Sequence, residues 1–104
     1  MKRLYRSYSE STNIFKELEA KYPNYFKIES IGNTWENREI NLITISKDIK
    51  TADSKPALFY TGTIHAREWI GHELAIEFAI YVLKNLETDP TLQTYLNEST
   101  VYMV

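Results

Sequence analysis

Residues 57–70 read Ala57-Leu58-Phe59-Tyr60-Thr61-Gly62-Thr63-Ile64-His65-Ala66-Arg67-Glu68-Trp69-Ile70. The run from Ala57 to Thr61 is short and nearly continuous in apolar character, the pattern expected of a strand buried on both faces of a sheet. Gly62 then loosens the backbone. From about Glu68 to Leu86 the residues Ile70, Leu74, Phe78, Val82 and Leu86 step by four, with Ala75 and Ala79 alongside, which predicts a long helix with one buried stripe. In α/β sheets the crevice beyond the carboxyl ends of strands is where ligands bind. His65 and Glu68 fall there, three residues apart.

Zinc accepts imidazole nitrogen and carboxylate oxygen, and a catalytic zinc has three protein ligands plus an open position for water or substrate. His65 and Glu68 would supply two of the three. Each also has an ordinary reading: a histidine bonded to a backbone carbonyl, and a carboxylate offsetting the dipole at a helix start. The bare His-x-x-Glu spacing is a weak signal between these. His72-Glu73 opens like His-Glu-x-x-His, but position 76 is Ile, so that motif is excluded. Glu68 with His72 at i and i+4 would make a two-ligand surface site; such a spacing is more often a simple solvated pair, and His72 is read as a surface residue.

Working outward, Ser7 and Glu10 have the spacing of a capping box, and Ile14, Phe15, Leu18 and Tyr22 recur at helical intervals until Pro23, predicting a helix over 8–21. A strand over 26–31, a turn at Gly32-Asn33 and a strand over 39–46, with Ile40, Leu42, Ile43 and Ile45, could pair as a hairpin. Residues 47–56 are polar and end in Pro56, as a surface loop does. After Asp89-Pro90 turns the chain, a short helix over 92–96 and a strand over 100–104 are expected. A strand ending on its last apolar residue looks like a chain cut inside a sheet, so the 104 residues are expected to be one domain and part of a longer one.

Composition narrows the function classes. The chain is 43% hydrophobic and carries a net charge of −2 with scattered basic residues, which argues against disorder and gives no electrostatic reason for a nucleic-acid partner. Trp35, Trp69 and the eight tyrosines are expected to pack in the core or at its edge rather than to stack on bases or sugars. There is no cysteine, so any metal must be held by nitrogen and oxygen. Met1 to Tyr8 has no apolar run of the kind a secretory signal needs, and no stretch is long and apolar enough to cross a bilayer. Asn97-Glu98-Ser99 fits the glycosylation pattern, to which no function is attached.

Together these residues resemble a known family. Gly-x-x-His-Ala-Arg-Glu-Trp-Ile after a hydrophobic strand is similar to the first metal-binding segment of the zinc metallocarboxypeptidases of the carboxypeptidase A/B and T type. Tyr22-Pro23, Ile31-Gly32, Trp35-Glu36-Asn37-Arg38-Glu39-Ile40 and Asp89-Pro90 occur in the same order as in that family. The resemblance covers essentially the whole chain. It implies a mixed-sheet α/β/α fold, an eight-stranded sheet with helices on both faces, of which this chain would supply the N-terminal part. It implies zinc as cofactor with His65 and Glu68 as two ligands, Arg67 lining the cleft for bound peptide, and a peptide or protein C-terminus as substrate. Members of the family are often secreted. The third ligand, the general-base glutamate and the groups that grip the substrate carboxylate are not among these residues, so no catalytic residue is assigned. Asn37 and Thr63 depart from positions where the family favours glycine.

Two functions follow as expectations. In the first, the chain is a piece of a carboxypeptidase, inactive alone and weak in zinc binding. The second is a non-catalytic module of the same fold that associates through an unfinished sheet edge, since unpaired strand edges recruit other strands. A related acylase sharing His-x-x-Glu is disfavoured by Arg67 and Trp69-Ile70.

Overall fold

The computed structural model describes residues 5–104; of the N-terminal stretch read above, Met1 to Leu4 lie outside the described residues. Helix α1, Tyr8–Lys21, begins at Ser7, whose side chain accepts from the Glu10 amide while Glu10 reaches back to the Ser7 amide. This is the capping box expected from the spacing. Strands β1, Phe26–Asn33, and β2, Glu39–Ile45, pair antiparallel as a hairpin. β1 runs past the turn expected at Gly32-Asn33, because a bulge between Ser30 and Gly32 absorbs the irregularity and lets pairing continue. The chain reverses instead at 34–38, where the Thr34 amide donates to the Arg38 carbonyl at 2.8 Å. Asn37 holds a left-handed φ of 64° in that turn. Asparagine tolerates this conformation better than most residues, which explains how it replaces glycine there.

The stretch 47–56, expected to be a loop, contains a 3-10 helix at Ile49–Ser54, started by Asp48, whose side chain accepts from the Lys50 amide. Strand β3, Ala57–Tyr60, leads to helix α2, Trp69–Asn85. Helix α3, Pro90–Glu98, starts earlier than periodicity suggested, since Asp89 accepts from the amides of Thr91 and Leu92 and proline suits a first helical turn. Strand β4, Thr100–Met103, returns parallel to β3 and antiparallel to β2, giving one mixed sheet in the order β1-β2-β4-β3.

Directly paired residues share a face. Phe26, Ile45 and Val101, and Ile28, Ile43 and Met103, therefore line one side of the sheet, where Phe15 of α1 and Ile76, Ala79, Val82 and Leu83 of α2 close the core. The opposite face carries Leu42, Thr44 and Tyr102, with the 3-10 helix over one end through the Thr100 hydroxyl bond to the Ala52 carbonyl at 2.6 Å.

Three expectations need correction. β3 is not buried on both faces: Leu58 and Phe59, consecutive residues that point to opposite faces of this edge strand, are each 61% exposed. A continuous apolar run does not say whether its cover lies within the same residues. The buried face of α2 is not the 70-74-78-82-86 row; Ile70, Leu74 and Phe78 are exposed, and Ile76, Ala79 and Leu83 join Val82 and Leu86 inside. The helix is apolar around more than one face, so a fourfold step picked the wrong row. Nor do the tryptophans pack in the core. Trp35 is fully exposed at the hairpin turn, and Trp69 is largely exposed, meeting Tyr5 edge to face at 5.6 Å.

Candidate metal centre

The loop between β3 and α2 brings the two candidate donors together. His65 Nδ1 lies 3.3 Å from Glu68 Oε1, and the same carboxylate oxygen accepts from the His65 amide at 3.3 Å. Both side chains are open to solvent. The loop is held as a tight turn in which the Glu68 amide donates to the His65 carbonyl at 3.0 Å and the Gly71 amide to the Glu68 carbonyl at 3.1 Å. Glu68 precedes the first helical residue but makes no side-chain bond to the helix amides. Its carboxylate is turned to the histidine rather than used as a cap.

The pair fits zinc by donor chemistry and by spacing. Two donors each about 2.0–2.1 Å from one tetrahedral zinc stand about 3.3 Å from each other. Among the described residues no third His, Cys, Asp or Glu joins them. Arg67 is exposed and has no hydrogen bond or ion pair among the described residues, so its guanidinium is free for an incoming acceptor. His72, expected at the surface, is half-buried and forms no bond with Glu68; it lines a cleft shared with Tyr5, Tyr8, Arg38 and Trp69.

Other residues near the corner were not singled out from sequence. Arg6 donates from its guanidinium to Glu77 at 2.8 Å and Glu73 at 2.6 Å, and its amide donates to Glu73 at 2.6 Å, tying the segment before α1 to α2. The bond to Glu77 and the field of Glu73 hold its pKa above the ordinary value. Gly62 and Gly71 meet backbone to backbone: a Cβ on Gly71 would stand 1.7 Å from the Gly62 carbonyl oxygen. Only glycine permits that approach. Two glycines flanking His-x-x-Glu were the available signal, but nothing in one dimension says that they touch.

Comparison with known proteins bears on the family and the fold. The family described as zinc carboxypeptidase matches residues 11–104. Mouse carboxypeptidase A2 is 30% identical over 101 residues, covering 94% of this chain and 23% of the relative. Carboxypeptidase D of Drosophila melanogaster is 29% identical over 101 residues, covering 96% of this chain and 7% of the relative. Among solved structures, thrombin activatable fibrinolysis inhibitor superposes with a TM-score of 0.85 at 24% identity, over 96% of this chain and 24% of that one. The chain thus spans a quarter or less of the length of these relatives. The mixed α/β architecture is that of the carboxypeptidase fold, and the chain belongs to the zinc carboxypeptidase family.

Proposed function

We propose that these residues form part of a zinc carboxypeptidase catalytic domain, in which His65 and Glu68 are two of the zinc ligands and Arg67 faces the bound peptide. The observation that carries this reading is the 3.3 Å separation of His65 Nδ1 and Glu68 Oε1 in a chain of this family. Zinc, when bound, polarises a scissile carbonyl and makes water a usable nucleophile near neutral pH. His65 and Glu68 contribute orientation: the turn between them fixes both donors on one side of the loop. Arg67 offers an exposed cation to a carbonyl or carboxylate of a peptide C-terminus. A third ligand and a general base come, in this reading, from sequence beyond these 104 residues, so the chain alone hydrolyses nothing.

Titration of the chain with zinc in a calorimeter tests the assignment. Two protein donors predict a Kd of about 10 µM or weaker, far from the affinity of a closed structural site. His65→Ala and Glu68→Ala should each abolish the heat. Binding that survives either substitution would assign the metal elsewhere, and binding as tight as a structural site would contradict a two-donor centre.

A second reading, a non-catalytic module that associates with a second copy, is favoured by the exposed groove of Leu58, Leu74 and Phe78 beside the free edge of β3. Unpaired edges with apolar flanks recruit strands. Sedimentation equilibrium separates the readings, since a concentration-dependent dimer that Leu58→Lys dissolves supports association and a monomer at all concentrations opposes it.

A further inference from the structure

Helix α2 differs from the other two helices in how its start is held. α1 has its capping box and α3 its Asp89 cap, whereas α2 has neither a side-chain cap nor an acidic residue in its first turn. The carboxylate placed to serve, Glu68, is engaged by His65. A helix start without a side-chain cap is prone to fray unless other contacts fix it.

One such contact comes from the strand beneath. Tyr60, the last residue of β3, donates its phenol hydroxyl to the Gly71 carbonyl at 2.9 Å. The Gly71 amide donates to the Glu68 carbonyl at 3.1 Å, that carbonyl also accepts the Thr63 hydroxyl at 3.4 Å, and the Glu68 amide donates to the His65 carbonyl. Joined through the backbones of Gly71 and Glu68, these hydrogen bonds link the Tyr60 hydroxyl to the backbone of both candidate ligands. The ring end of the run is fixed: Tyr60 packs against the core, and its own carbonyl accepts the Val104 amide at 3.0 Å.

We infer that Tyr60 is a positioning residue for the metal pair, acting through Gly71 to set where Glu68 and His65 stand; this rests on the zinc reading above. The groups that orient metal ligands commonly govern affinity by tenfold or more without touching the ion. Tyr60 does so from the rigid sheet, through backbone, in a loop whose own helix start is uncapped.

Tyr60→Phe keeps the ring and removes only the hydroxyl, and Tyr25→Phe, which removes the hydroxyl bonded at 3.5 Å to Glu87 just past the end of α2, serves as control. Zinc titration well below the melting temperature should show about tenfold weaker binding for Tyr60→Phe and none of that loss for Tyr25→Phe. A hydroxyl with a structural role alone would lower the melting temperature and leave the affinity of the folded chain unchanged, which overturns the inference. If the unaltered chain binds no zinc, the zinc reading fails by itself, and amide hydrogen exchange decides the role of Tyr60. Faster exchange at Glu68 and Gly71 in Tyr60→Phe, with β4 unchanged, supports it, and unchanged exchange at both refutes it.

Discussion

At one end of the molecule α1 packs on the β1–β2 hairpin through β1, and at the other β3 turns into α2. In the first region Phe15 stacks on Phe26 at 6.0 Å, Ser7 caps α1, and Glu19 accepts the amide of Ile28 on the outer edge of β1 at 2.9 Å. In the second the edge of β3 is open, Leu58, Ile64 and Ile70 face solvent, α2 lacks a cap, and two glycines replace side-chain packing. Buried packing is concentrated away from the candidate ligands, which sit where few buried contacts hold the backbone. Such regions open at lower free energy than the core.

The contrast exists even within α2, and a pair of substitutions would break it most visibly. Ile76 is 0% exposed and Leu74 is 56% exposed, two residues apart on the same helix. Truncating Ile76 to alanine is expected to cost about 3–4 kcal/mol in urea unfolding, while Leu74→Ala should cost below about 1 kcal/mol. Equal losses at dilute concentration would mean that the exposed face is covered in solution, and would move weight to the association reading.

Next in size is the glycine contact. Gly71→Ala would place its Cβ inside the Gly62 carbonyl, and since both partners are backbone, relief requires the start of α2 to move away from the end of β3. The cost expected of such overpacking is about 2–3 kcal/mol. Gly62→Ala meets the Gly71 oxygen at 3.0 Å and asks for a smaller shift, so it should be the milder of the two. Chemical denaturation with zinc titration of each variant orders them; a Gly71→Ala chain as stable as the original would show the corner to be pliant.

The difference between the two regions also governs what could be read from sequence. α1 was legible to its last residue because its signals are local: a capping box from Ser7 to Glu10, a row of apolar positions, and a proline behind Tyr22. The hairpin was legible as a pair, although its turn was displaced, since the bulge after Ser30 trades one register for another without changing composition. His65 and Glu68 were legible as candidates because three residues of tight turn cannot separate them far. The exposure of β3 and the wrong row of α2 share one cause: apolar sequence records that a surface is unfavourable in water, not which neighbour covers it. Tyr60, Gly62 and Gly71 were silent because their roles depend on a strand end and a helix start meeting, a contact set by tertiary packing.

The smallest expected effect lies at the well-tied end, where the Tyr102 hydroxyl on β4 donates to the Asp53 carboxylate on the 3-10 helix. That bond is the main reason the phenol is held above its ordinary pKa of 10.0, with burial and the negative charge of Asp53 adding to it. A pKa raised in the folded state means the neutral phenol favours folding. Its contribution is therefore whole below the unfolded value near 10 and disappears as pH rises through the higher folded value. A hydrogen bond this near to solvent should be worth less than about 1 kcal/mol. Stability of the chain should exceed that of Tyr102→Phe by that margin at pH 7–9, and the two should converge above the folded pKa. A constant gap between the two curves through pH 11 would show that Asp53 does not bind the hydroxyl in solution, and would make the end of the sheet under the 3-10 helix as loosely tied as the corner that carries His65 and Glu68.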